Sequence, residues 1–106
     1  MNVFQLERMK GGWFVGDFTP TSFATTACET ACKKYPAGTQ EQRHVHRVAT
    51  ELTLIAAGKA MMNGHVLNAG DIALLVPGEP ADFSAIEDTI TFVVKVPCVM
   101  GDKYPA

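Results

Sequence analysis

Two histidines one residue apart, His44 and His46, and a glutamate five positions later, Glu51, are the residues of this chain best placed to do chemistry. On an extended chain, side chains at i and i+2 share a face, with about 6.5–7 Å of backbone between them. Two imidazoles held in that way can share one metal ion. A carboxylate on the next antiparallel strand, across a short turn, can join them. Two histidines and one carboxylate with open coordination positions form the donor set used for Fe(II), and similar sets hold Zn, Mn or Ni. Taken alone, His-x-His is a common spacing, and it equally describes ordinary exposed histidines on an edge strand.

The surrounding residues read as the strands such a site needs. Glu41 to His46 is polar, and as a strand it is justified only by what its side chains do. Gln40 and Gln42 share the parity of His44 and are expected at the mouth of a pocket, while Arg43 and Arg47 face away. Arg47 to Thr50 is a short connection. Glu51 to Ala57 is strand-like, with Thr53 and Ile55 on the face of Glu51 as pocket wall, and Gly58 ends it. Asn63-Gly64 between short apolar runs is the strongest local signal for a type I′ hairpin, which leaves His65 at a solvent-facing tip and one of Met61 and Met62 outward. Ile72 to Val76 is a continuous apolar run and is expected to be a fully buried strand. Thr89 to Val96 is the most β-prone segment. Cys28 to Tyr35 alternates, with Glu29 and Lys33 on one face and Cys28, Thr30 and Cys32 on the other. The tail after Pro97 reads as only partly ordered. No segment carries a helical apolar stripe, and short strands recur between turn residues throughout, the pattern of an all-β sandwich or barrel.

The bulk properties narrow the function classes. A chain of 106 residues with 47% apolar and 19% charged residues is expected to form one soluble domain. Its net charge of -2 and lack of a Lys/Arg cluster argue against nucleic acid as a partner. No apolar run approaches the ~18 residues of a membrane span, and the first ten residues lack a signal-peptide core, so a cytoplasmic protein is expected. The three cysteines have no disulfide or zinc spacing. Cys28 and Cys32 on one strand lie roughly 13 Å apart, so reduced and mostly buried thiols are expected.

Spacing around the histidines adds a family resemblance. Gly38, five residues, His44-Val45-His46, four residues, Glu51, six residues and Gly58 fit the first motif of the cupin superfamily at every fixed position. A second motif is similar only in part. Gly70-Asp71 begins it and Pro77-Gly78 supplies its turn, but Ala81 stands where the family has a third histidine, and its closing asparagine is missing. The resemblance covers roughly residues 28–97. It implies an all-β, cupin-like jelly-roll β-barrel of two antiparallel sheets, one domain over 1–106, with strands from 12–26 packing on the core.

The resemblance further implies a divalent ion (Fe, Zn, Mn or Ni) on His44, His46 and Glu51, with a small-molecule ligand, and an oxygenase or isomerase type of reaction in which Glu51 serves as ligand or as catalytic proton acceptor. Ala81 cannot ligate, and adjacent Asp82 replaces it only if a bulge turns it inward. The alternative is a non-catalytic small-molecule-binding cupin that has lost full metal coordination. Single-domain cupins often pair through edge strands, so a homodimer is expected, with the Trp13-Phe14-Val15 run as a candidate contact.

Overall fold

The computed structural model describes all residues, 1–106. Two 3-10 turns, Leu6–Arg8 and Lys10–Gly12, lead into strands β1 (Trp13–Val15), β2 (Glu29–Tyr35), β3 (Gln40–Val45), β4 (Thr50–Ala57), β5 (Lys59–Met62), β6 (His65–Asn68), β7 (Ile72–Leu75), β8 (Ala81–Ala85), β9 (Thr89–Val96) and β10 (Tyr104–Pro105). They form two five-stranded sheets with orders β1-β2-β9-β4-β7 and β10-β3-β8-β5-β6. Every ladder between strands is antiparallel. This is the jelly-roll class, but the sheets do not close into a barrel. At the corner between β3 and β4 the backbone N–H groups of Arg47, Val48 and Ala49 bond the Asp102 carboxylate instead of continuing a ladder.

Local sequence explains the turns. Asn63 and Gly64 have φ of 48° and 77°, the positive values a type I′ turn requires, and Met62 pairs with His65 across it. His65 and Met61 are exposed and Met62 is buried. Gly58 has φ of 88°, and a Cβ there would sit 2.2 Å from the Asp88 carbonyl oxygen, so only glycine lets β4 end against the β8–β9 turn.

Between the sheets, Ile55, Met62, Leu75, Phe83 and the alanines at 60, 81 and 85 form the apolar core. The Tyr35 ring packs on Phe83 with centroids 4.6 Å apart. The core gives way to a cavity of about 380 Å³ reached by Glu51, His44 and Trp13.

Four expectations are corrected. Ile72 to Val76 is not a buried strand. β7 is a sheet edge, and Ile72, Leu74 and Val76 point outward at 65%, 56% and 51% exposure. A run that is apolar at every position does not reveal which face is covered. In β2 the inward face is the charged one, because Ala31 at 0% exposure lies between Glu29 and Lys33. Cys28 and Cys32 are therefore only half-buried, and Cys98 alone is buried, though all three are free thiols. The tail is ordered, since β10 pairs with β3 and Asp102 is buried. The Trp13-Phe14-Val15 run is β1, half-buried and paired to β2, so it is occupied within the chain.

Candidate metal centre

β3 reaches the cavity through an irregularity. Glu41 pairs with Phe83 and His44 with Ala81, so three steps on β3 span two on β8. The extra residue is a β-bulge, and it resets the alternation. Glu41 and His44 consequently both line the cavity, while Gln40 and Gln42 are exposed and do not reach it. The expected glutamines at the pocket mouth are thus replaced by a glutamate. Arg43 and Arg47 point away as expected: Arg43 lies 3.8 Å from Asp82 and Arg47 stacks 3.9 Å over the Tyr104 ring.

His44 and His46 are fixed through the same atom. Nδ1 of His44 donates to the Gln42 carbonyl at 2.9 Å, and Nδ1 of His46 donates to the Asp102 carbonyl. In a neutral imidazole this places the lone pair on Nε2 of each ring, the tautomer that a metal-binding histidine uses. The His46 backbone is held as well, its carbonyl accepting the Gly78 N–H at 2.8 Å. The partial second motif therefore retains one function, pinning His46 through its turn. The ring centroids lie 5.0 Å apart in an edge-on arrangement.

Glu51, on the inward face of β4, brings Oε1 to 3.5 Å from Nε2 of His46. That contact is too long to satisfy the nitrogen, which is buried and has no hydrogen-bond partner. The donor atoms of His44, His46 and Glu51 all lie within 4.8 Å of one another. With ligand bonds of about 2.0–2.2 Å, donors around one ion stand roughly 3–4 Å apart, so small side-chain movements bring these three onto one ion. An orphaned buried nitrogen facing a carboxylate and a second imidazole fits a divalent cation.

Electrostatics agree with an ionised carboxylate. Burial pushes the Glu51 carboxyl up, but the His46 ring and the Lys95 charge outweigh it and hold it below the usual range. Contact with Glu51 raises the His46 pKa, against the opposing effect of burial. Burial also pushes the Asp102 carboxyl up, yet the N–H groups of Ala49, Arg47 and Val48 hold it low.

The fourth position is a methyl group. Ala81, 3% exposed, faces the cavity opposite His44. Asp82 does not replace it, because its carboxylate accepts the Asn63 N–H at 2.8 Å.

No protein-family model matches the sequence, and no curated protein does. Solved structures do. The chain is similar to an uncharacterized conserved protein with a double-stranded β-helix domain from Klebsiella pneumoniae, at 28% identity and TM-score 0.63 over 69% of this chain and 66% of that one. It is also similar to an RmlC-like cupin from Shewanella frigidimarina, at 19% identity and TM-score 0.67 over 72% and 71%. The chain has the cupin fold. The chain matches the DMSP lyase DddQ from Ruegeria pomeroyi over more of its own length, 89%, at 21% identity and TM-score 0.73, but spans only 49% of the lyase. It likewise spans slightly less than two thirds of the Klebsiella protein. No helix in it is long and apolar enough to cross a membrane.

The cavity also holds charged groups outside the set of His44, His46 and Glu51. Lys95 stands directly opposite Glu51 on β9 and opposite Glu29 on β2. Its Nζ is 3.9 Å from Glu29. Burial pushes the Lys95 pKa down despite the glutamates beside it. Lys33 lies 3.9 Å from Glu41, which accepts the Tyr35 hydroxyl. Burial and that hydrogen bond both raise the Tyr35 pKa. Two signals in the sequence mark these residues: a small Ala31 between charged neighbours, and one lysine in the apolar run TITFVVKV. Asp102 offers no comparable signal, since its partners are more than fifty positions away.

Proposed function

We propose that this chain holds one divalent transition-metal ion on His44, His46 and Glu51 and uses it to bind and transform a small oxygen-bearing molecule. The observation that carries this reading is the buried, unpartnered Nε2 of His46, aimed at Glu51 with its other ring nitrogen tied to a backbone carbonyl. A bound ion supplies Lewis-acid or redox chemistry and leaves coordination positions for a ligand. The chain itself orients the imidazoles, keeps Glu51 ionised as ligand or proton acceptor, and shields the site within the two sheets. An oxygenase or an isomerase type of reaction both suit that arrangement. The cupin fold does not choose between them, because one fold hosts many chemistries.

A second reading, a non-catalytic ligand-binding cupin, is favoured by Ala81, which removes a protein ligand and weakens the hold on the ion. Elemental analysis of untagged protein tests the first reading. Near one equivalent of a transition metal per chain is expected, either as purified or after titration with Zn, Mn, Ni or Fe(II). Less than about a tenth of an equivalent under both conditions removes the metal and the enzyme reading with it.

We propose in addition that the outer face of the β9-β4-β7 region seats a second copy. Leu52 lies opposite Leu74, and Leu54 bridges Ile72 and Phe92, so these side chains form one apolar surface beside the unpaired edge of β7. Sedimentation is expected to give twice the chain mass of 11.4 kDa. A monomer throughout the micromolar range rules this pairing out.

A further inference from the structure

We infer that the same cavity contains a carboxylate subsite, built from Lys33 and Lys95 around the Trp13 ring, so that the ligand of the metal centre is a small organic acid. This rests on the metal reading only for the other end of the ligand.

The two ammonium groups come from different rungs of the sheet. Lys33 is opposite Thr91, while Lys95 lies four residues further along β9, roughly 13 Å away along the backbone. Their Nζ atoms nevertheless converge on one indole, at 5.3 and 4.9 Å from the Trp13 centroid. Each also faces a glutamate at 3.9 Å, beyond hydrogen-bond distance. Six ammonium N–H donors therefore border one cavity, with glutamates in ion-pair range but no protein acceptor within hydrogen-bond distance. Burying two charges in so loose an arrangement is unfavourable to folding, and apolar side chains would serve the sheet better.

Thr91, paired with Lys33 and Ile55, lines the same cavity as a residue, although its hydroxyl oxygen is sealed from solvent and has no hydrogen-bond partner. A carboxylate supplies what both ammonium groups lack, an acceptor with about four lone-pair sites. Charge balance favours it too. Glu29 and Glu41 offset the two lysines, and Asp102 is consumed by backbone N–H groups. A divalent ion on neutral histidines and Glu51, with Lys10 and Lys103 also at the cavity and Asp82 paired to Arg43, then leaves a positive excess for the ligand to balance. Lys95, directly beside Glu51, puts the subsite within reach of the ion for an acid only a few atoms long.

Trp13 is the sole tryptophan, so its emission reports occupancy directly. Protein loaded with metal, and a matched metal-free sample, are titrated with glycolate, malonate and succinate and with their uncharged amides. At least one acid is expected to produce a saturable change in emission, at least tenfold tighter than its amide. Lys33→Met and Lys95→Met are each expected to weaken it tenfold or more while leaving the metal stoichiometry unchanged. The acid-against-amide comparison needs no variant, so it stands even if a substitution unfolds the chain. No saturable response to any acid, equal response to the amides, or folded lysine variants that bind as wild type overturns the subsite. Protein that takes up no metal yet prefers acids retains the subsite and loses the metal reading. Metal uptake with no acid preference does the reverse.

Discussion

The two faces of the β2-β9-β4 region invert the usual arrangement of a sheet. The inward face carries Glu29, Lys33, Lys95 and Glu51 among Thr53, Thr91 and Val93. The outward face carries Leu52, Leu54, Phe92 and Val94, continued onto β7 by Ile72 and Leu74, with Leu52 at 37% and Ile72 at 65% exposure. Folding alone favours the opposite, apolar groups inside and charges in water. The fold sustains this because Ile55, Met62, Leu75 and Phe83 form an apolar core beyond the charged zone. Charges kept inside at a cost to stability are best explained by what they bind, and apolar groups left outside by what covers them.

Adjacent residues of β4 put the contrast to its hardest test. Glu51→Ala and His46→Ala remove inward donors, and each is expected to weaken metal binding by more than about 100-fold, beyond the effect of losing a supporting hydrogen bond. Leu52→Thr, one position from Glu51 but facing out, is expected to leave metal affinity unchanged. Calorimetric titration of the three variants decides it, and equal losses in all three break the distinction between faces. Metal binding is also expected to fall with acid. His46 has a pKa above its ordinary 6.5, so protons begin to compete with the ion at a higher pH than for an unperturbed histidine.

Asp102 supports the inward face from outside the sheets. Its carboxylate accepts the N–H groups of Arg47, Val48 and Ala49 at 2.8, 3.1 and 2.9 Å, while its carbonyl holds His46. Asp102→Ala leaves those donors without a partner and is expected to cost about 2–3 kcal/mol in urea unfolding, with weaker metal binding as well. Asp102→Asn is expected to cost less, since it keeps one acceptor oxygen. The pH dependence has a definite sign. The folded pKa lies below the ordinary 3.8, so the ionised cap contributes fully above that value and is lost as pH falls through the folded one. The stability gap between wild type and Asp102→Asn is therefore expected to be constant near neutrality and to narrow only below about pH 4.

How far the sequence could be read follows the same division. The jelly-roll class and the meeting of His44, His46 and Glu51 were legible because motif spacing and strand period are local properties. The bulge in β3 was not, since one added residue between Glu41 and His44 leaves no mark in composition yet exchanges Gln42 for Glu41 at the cavity. Alternation in β2 showed two faces without showing which was inside, and charge pointed to the wrong one. The run Ile72 to Val76 failed for the opposite reason, being apolar on both faces. Asp102 lay beyond local reading altogether, because its role depends on the tail returning beside β3.

Ala81 allows the inward face to be sharpened instead of damaged. Its Cβ already points into the cavity opposite His44, on a strand whose register is fixed by Ala85 against Ala60. Ala81→His is expected to tighten metal binding at least tenfold, about 1.4 kcal/mol, by adding a fourth protein ligand. The larger ring displaces cavity space, so the response of Trp13 to organic acids is expected to weaken in the same variant. A histidine there that leaves metal affinity unchanged means that the ion does not sit between β3 and β4.

The smallest effect belongs to the outward face. Ile72→Thr and Leu74→Thr remove exposed methyl groups from an edge strand, where substitutions ordinarily change stability by no more than about 0.5 kcal/mol. In the isolated chain, unfolding midpoints are expected to stay within that range, with metal content unaltered. Sedimentation is where the pair should register, as a shift from dimer toward monomer, because the apolar surface opposite Leu52 and Leu54 is interrupted at its centre. If the variants lose 2 kcal/mol or more as monomers, the face is part of the fold's own support, and the inversion between the two faces is smaller than its exposure implies.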